Sequence, residues 1–156
     1  MAFAALVEIA GSVLVQAMAR PGPELIVGST RDEKAGAVVM LGVGGVMSHL
    51  IADHSLKIAP VTDVDADAMI AAIRAQALFD GFRGYAPVDR GAVRALVQRV
   101  SCLVSDYPEI AEVDLNPVIC HGTQLAVVDA KVRVTQAQDL PDPMTRALSA
   151  VPAAAG

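Results

Sequence analysis

Residues 112–134, EVDLNPVICHGTQLAVVDAKVRV, restrict the folds open to this chain more than any other stretch. Two β-branched, half-alternating segments flank His121-Gly122-Thr123-Gln124, and a two-residue loop that begins with glycine suits a tight II′ hairpin turn. With Gly122-Thr123 as the loop, Asn116 lies opposite Asp129 and Asp114 opposite Lys131. Side chains alternate with period two along a strand, so 114 and 116 share a face, and opposed Cβ atoms sit about 4.5–5.5 Å apart. One face of a mostly apolar hairpin therefore carries Asp, Asn, Asp and Lys together. A carboxylate and an amide oxygen at that spacing are hard donors suited to Mg²⁺, which takes one or two protein oxygens and completes its shell with water and phosphate. The same residues also describe a plain solvated face with an Asp114/Lys131 ion pair, worth at most about 1 kcal/mol when exposed. Spacing alone leaves both readings open.

The rest of the chain is read around that hairpin. Its 156 residues suffice for one domain with a real core. The chain is 54% apolar with 3% aromatics and no tryptophan, so the core is aliphatic. A net charge of −5 without a basic run excludes nucleic acid as a partner, because phosphate neutralisation by Lys and Arg supplies most of that affinity. Cys102 and Cys120 fall in a predicted helix and a predicted strand with no CxxC spacing, which reads as buried free thiols in the cytoplasm.

Neither long apolar stretch reads as a membrane or export segment. Residues 1–19 lack a positive start and are interrupted by Glu8; they read as a short lead-in to a strand. Residues 35–52 reach transmembrane length, but Gly36, Gly42, Gly44, Gly45 and His49 interrupt them. A buried strand followed by a glycine turn fits that pattern better.

Strands are expected at 13–18, 24–30, 37–43 and 56–58, and tight turns between them imply an antiparallel meander. Gly42-Val43-Gly44-Gly45 is either a simple turn or a phosphate cradle, since glycines let backbone amides approach an anion. His49, Asp53 and His54 would gather on one side of a helix, one ligand short of a tetrahedral set. Thr62 is placed as the N-cap of a helix whose inner face is Met69, Ile70, Ile73 and Ala77, with Asp65 completing a capping box. Asp89 caps a second helix with Val93, Leu96, Val97, Val100, Leu103 and Val104 at helical spacing and Arg90, Arg94 and Arg99 on its solvated side. The order is ββββ-αα-ββ: an α+β fold, one antiparallel sheet with two main helices packed on it. That domain spans 1–134, and 135–156 is expected to be a poorly ordered Ala/Pro-rich tail.

Seven fragments, VLVQAM, GPELIVGSTRD, GAVVMLGVGGV, KIAPVTDVDADAMI, LFDGFRGY, EIAEVDLNPV and VVDAKVRV, appear in an order and spacing that resembles one family. They look like the C-terminal part of the ATP-grasp domain of ADP-forming acyl-CoA synthetases, relatives of succinyl-CoA synthetase, from about Val13 to Val134. The resemblance implies ATP or ADP and Mg²⁺ as cofactors, with phosphate passing through an acyl phosphate and a phosphohistidine. It implies that Asn116 of the D-x-N-P motif and Asp129 of V-D-A-[KR] hold the metal against the nucleotide phosphates, with Gly44 and Gly45 close to the nucleotide. It also implies partners: the N-terminal ATP-grasp half and the CoA-binding and phosphohistidine-bearing domains, without which the chain is inactive. A surface left open to the missing half favours self-association. Ala17, His49 and Ala52 depart from the family's two glutamates and a lysine, whereas Asp53 and Glu24 match it. Those losses keep an alternative in view: a degenerate, non-catalytic ligand-binding or regulatory module of the type fused to protein acetyltransferases.

Overall fold

In a computed structural model, residues 2–45, 52–82 and 84–136 are described. Helix α1 (Ala2–Ala10) leads into an irregular stretch, followed by strands β1 (Glu24–Asp32), β2 (Gly36–Val43) and β3 (His54–Ile58). Helices α2 (Asp63–Ala72) and α3 (Arg90–Asp106) come next, then strands β4 (Ile110–His121), β5 (Gln124–Val127) and β6 (Ala130–Val134). The six strands form one sheet in the order β3-β2-β1-β4-β5, with β6 also on β4, and every pairing is antiparallel. The expected α+β architecture and meander are present.

One face of the sheet is closed by α2 and α3. Leu25, Val27, Val39, Leu41, Val113 and Val118 point inward and are buried against Met69, Ile70, Ile73, Val93, Val97, Val100 and Val104. Both helices start where side-chain oxygens take up their unpaired amides. Thr62 and Asp65 form a complete capping box, and the Asp89 carboxylate accepts from the amides of Gly91 and Ala92. At the other end of α3, the Arg31 guanidinium donates to the carbonyls of Val104, Tyr107 and Ile110. A cation there satisfies carbonyls the helix leaves open and favours its negative end.

Several expectations are corrected. Residues 13–18 form no strand: Leu14, Val15 and Met18 are 83%, 74% and 93% exposed. β1 already pairs with β2 and β4, and an apolar run becomes a strand only where a free edge accepts its backbone. The segment meets the sheet at its end, where the Cys120 amide donates to the Pro23 carbonyl at 2.8 Å. There a Cβ on Gly22 would lie 1.7 Å from the Cys120 carbonyl oxygen, so only glycine fits. Upstream, the run AFAALVEIA contains good helix formers and neither glycine nor proline, and it forms α1 where only a short lead-in to a strand was expected.

Helix α2 stops at Ala72, so Ala77 falls in a separate 3₁₀ turn, Gln76–Leu78, and is exposed. Tertiary contacts end the helix: Asp53 takes the amides of Arg74 and Ala75, and the Gln76 side-chain amide donates to the carbonyls of Ile70 and Ile73. Leu103 is 37% exposed. Arg90 stacks over the Phe79 ring at 4.9 Å and pairs with Asp80 at 3.0 Å, so it is a packing residue as well as a charged one. Cys120 is buried, and burial pushes its thiol up to about 12. Cys102 is exposed, contrary to expectation, because it falls on the side of α3 away from Val97, Val100 and Val104. His49 and the tail from 137 lie outside the described residues.

Leu41 is fully buried at the centre of the sheet. Leu41→Ala is expected to cost about 2–5 kcal/mol and Asp89→Ala about 1 kcal/mol, both read as shifts in the urea midpoint at unchanged m-value.

Candidate functional site on the open face of the sheet

The face away from the helices carries the residues singled out in the sequence. The Gly122 turn sets the hairpin register as expected, with His121 opposite Gln124 and Val118 opposite Val127. The same register continues into β6, with Leu115 opposite Ala130, Asp114 opposite Lys131 and Glu112 opposite Arg133. Between β5 and β6 the Asn116 amide donates to the Asp129 carbonyl at 3.2 Å, and the Val128 amide donates to the Pro117 carbonyl at 3.0 Å. Asn116 and Asp129 are therefore backbone neighbours.

On its other edge, β4 shifts register against β1: Val118 faces Leu25 but Leu115 faces Val27. An extra β4 residue in that interval bulges the strand. The bulge lets 113 and 118 both face the core while Asn116, of the same parity as Asp114, stays on the open side and exposed.

Reading across the strands gives a grid. His54, Gly42 and Ile26 lie side by side in one rung that leads to the bulge at Asn116 and on to Asp129. Leu56, Met40, Gly28, Asp114 and Lys131 form the next, and Ile58, Val38, Thr30, Glu112 and Arg133 the one after. The left part is apolar and the right part charged. Gly28 leaves a hollow between Met40 and Asp114, and a groove of about 440 Å³ runs over it. Sequence reasoning missed this groove, although a glycine inside a strand pattern is the signal for a close approach.

Asp129 and Lys131 lie on the same side, with Oδ2 and Nζ 3.8 Å apart. The ion pair expected between Lys131 and Asp114 is thus replaced by one with Asp129. Both partners are more than half exposed, so the pair is weak. Among the described residues, no group of three or more His, Cys, Asp or Glu could hold a metal, which leaves no closed cage of the structural-zinc type there. The donor set at Asn116 and Asp129, one amide oxygen and one carboxylate on an open face, fits an ion that keeps most of its water and takes phosphate oxygens.

Gly44 and Gly45 lie one strand away from β4 and pack on Glu24. The Gly44 amide donates to the Glu24 carbonyl at 2.7 Å, and a Cβ on Gly44 would sit 3.1 Å from that residue's backbone. Gly45 adopts φ +71, and a Cβ there would meet the Glu24 carboxylate at 3.1 Å. These glycines thus permit a close approach to Glu24. Asp53 and His54 do not sit on a helix, since His54 opens β3. Asp53 is buried, with Oδ1 accepting from the Arg74 amide at 2.9 Å and Oδ2 from the Ala75 amide at 2.8 Å. Its role is to clamp the end of α2 to the sheet.

The sequence pattern of the ATP-grasp domain matches residues 5–134. The chain belongs to the ATP-grasp family. Within it, the chain is 43% identical over 127 residues to an ADP-forming 4-hydroxybutyrate–CoA ligase of Nitrosopumilus maritimus, covering 80% of this chain and 18% of that enzyme. It is 40% identical over 128 residues to the β subunit of an ADP-forming acetate–CoA ligase II of Pyrococcus furiosus, covering 80% of this chain and 54% of that subunit. Among solved structures, a dinucleotide-forming acetyl-coenzyme A synthetase of Ca. Korarchaeum cryptofilum, in complex with coenzyme A and Mg-AMPPCP, superposes with a TM-score of 0.76. It shares 43% identity with this ATP-grasp chain over 83% of the chain and 61% of its own. The chain thus spans part of an ATP-grasp region of larger ADP-forming acyl-CoA synthetase-like proteins: about half of the matched β subunit and under a fifth of the matched single-chain ligase.

Burial works against ionisation of Asp53, yet the amides of Arg74 and Ala75 and the nearby Arg74 guanidinium together hold its carboxyl below the ordinary value of 3.8. A folded-state pKa below the unfolded one gives stability that is complete above the unfolded value and lost as pH falls through the folded value. Asp53→Asn turns a side-chain N–H toward a backbone N–H and is expected to cost about 1–3 kcal/mol at pH 7. The gap to wild type should narrow in urea titrations as pH falls below 3.8.

Proposed function

We propose that this ATP-grasp chain supplies the metal-holding wall of the nucleotide site in an ADP-forming acyl-CoA synthetase. On this reading Asn116 and Asp129 are the protein ligands of Mg²⁺, ATP or ADP lies along the groove over Gly28, and turnover requires parts contributed by other domains or subunits. The observation that carries the proposal is the juxtaposition, on the open face, of an amide on β4 and a carboxylate in the link between β5 and β6, marked by the 3.2 Å backbone bond between Asn116 and Asp129. Asn116 and Asp129 would hold the Mg²⁺ ion, which when bound would supply charge neutralisation for phosphoryl transfer.

The residues of this chain divide the remaining work. Asn116 and Asp129 present oxygens without closing the shell, so phosphate oxygens can enter it. Ile26, Met40, Val38 and Leu56 offer an apolar floor to a purine. Gly44 and Gly45 border the same face, and because the Gly44 amide is engaged by Glu24, their contribution is to keep the backbone low beside the phosphates. No histidine is assigned as the covalent phosphate carrier, which on this reading belongs with the CoA-binding part to other domains or subunits. A β subunit among the relatives supports such a division. Two unpaired cysteines support a reducing, cytoplasmic setting, and no helix among the described residues is long and apolar enough to cross a membrane.

A second reading, a degenerate binding module, is favoured by Ala17 and Ala52, which place methyl groups where the resemblance implies a glutamate and a lysine. Calorimetric titration with ADP, with and without Mg²⁺, separates the two. The first reading expects Mg²⁺-dependent binding that Asn116→Ala or Asp129→Ala weakens at least tenfold, and no ligase turnover by the chain alone. Metal-independent binding unaffected by either substitution would establish the second.

A further inference from the structure

At the charged end of the open face, beside the Arg133–Glu112 pair, Lys131 stands between the carboxylates of Asp114 and Asp129. Lys131 lies opposite Asp114 across the β4–β6 ladder and pairs with Asp129, two residues back in the link just before β6, at 3.8 Å. It does so although Asp114 is its direct cross-strand neighbour. The carboxylate proposed as a metal ligand is therefore the one the lysine occupies.

We infer that Lys131 is an exchangeable counter-ion of the metal site: it holds Asp129 before the metal arrives, is displaced by the divalent cation, and then turns to the phosphate of the bound nucleotide. The inference rests on the reading of Asn116 and Asp129 as metal ligands. Two features support it. The pair is exposed on both sides and longer than a normal hydrogen bond, so it opens at little cost. Asp114 on the same face gives the released ammonium a second acceptor within reach of its flexible stem. Phosphate oxygens arriving with the metal would then offer the ammonium anionic acceptors, which a lysine binds as a mobile point charge.

Such a residue has opposite effects on the two ligands. By competing with the cation it weakens binding of the metal alone, and by facing the phosphate it strengthens binding of the nucleotide. An exposed pair limits each effect to about two- to fivefold. A merely structural lysine would move both affinities the same way or neither.

The test uses the 156-residue chain, with Mn²⁺ alone followed by the electron paramagnetic resonance of the free ion, and ADP in saturating Mg²⁺ by calorimetry. Lys131→Met is expected to tighten Mn²⁺ about two- to fivefold and to weaken ADP in saturating Mg²⁺ by about the same factor, while Lys131→Arg restores wild-type values for both. Asp129→Ala reports on the underlying site. If it abolishes Mn²⁺ binding but Lys131→Met leaves Mn²⁺ unchanged or weaker, the counter-ion role is overturned and the metal site stands. If Asp129→Ala leaves Mn²⁺ binding unchanged, or the wild-type chain binds none, both are overturned.

Discussion

The β4 strand shares its backbone with β1 on one edge and with β5 and β6 on the other, and the polar groups of the open face take their positions from those ladders. Backbone hydrogen bonding is nearly obligatory for buried amides and carbonyls, so a strand paired on both sides cannot slide. A slip by one residue would turn Val113, Val118 and Cys120 out of the core and Asp114 and Asn116 into it. The hydrophobic pattern and the turn at Gly122 oppose such a slip together, which makes the placement of Asn116 beside Asp129 a property of the core as much as of the site.

The bulge in β4 reconciles two demands. Inward residues must alternate on both sides of Asn116-Pro117, yet Val113 and Val118 have opposite parity and are both buried. The extra residue opposite the Leu25–Val27 interval absorbs the mismatch. It also falls beside the interruption between β5 and β6, so the ladder is irregular on both edges of β4 where the donor pair sits. Irregular strand positions commonly re-aim side chains in this way.

Two further clamps keep the helices from disturbing that face. Arg31 reaches from β1 to the carbonyls at the end of α3, and Asp53 fixes the end of α2 from the segment just before β3. Both are charged groups whose hydrogen bonds go to backbone: the Arg31 guanidinium to helix-end carbonyls and the Asp53 carboxylate to the amides of Arg74 and Ala75. The open face is left with weaker commitments: a long Asp129–Lys131 pair and the apolar row of Val38, Met40, Leu56 and Ile58. Weakly committed polar groups beside an apolar floor suit a surface that has to exchange partners.

The sequence by itself determined the local elements and the hairpin register, because period-two alternation, a glycine-led turn and side-chain caps act over a few residues. Thr62, Asp65, Asp89 and Gly122 are examples, and the opposition of Asn116 to Asp129 followed from the same arithmetic. Only the tertiary structure decided the fate of 13–18, since whether an apolar run becomes a strand depends on a free edge elsewhere. It likewise decided where α2 stops, through Asp53 and Gln76, and which carboxylate Lys131 chooses. Those outcomes turn on groups brought together from distant or opposed positions, and a linear pattern holds no record of which of several charges will lie nearest in space.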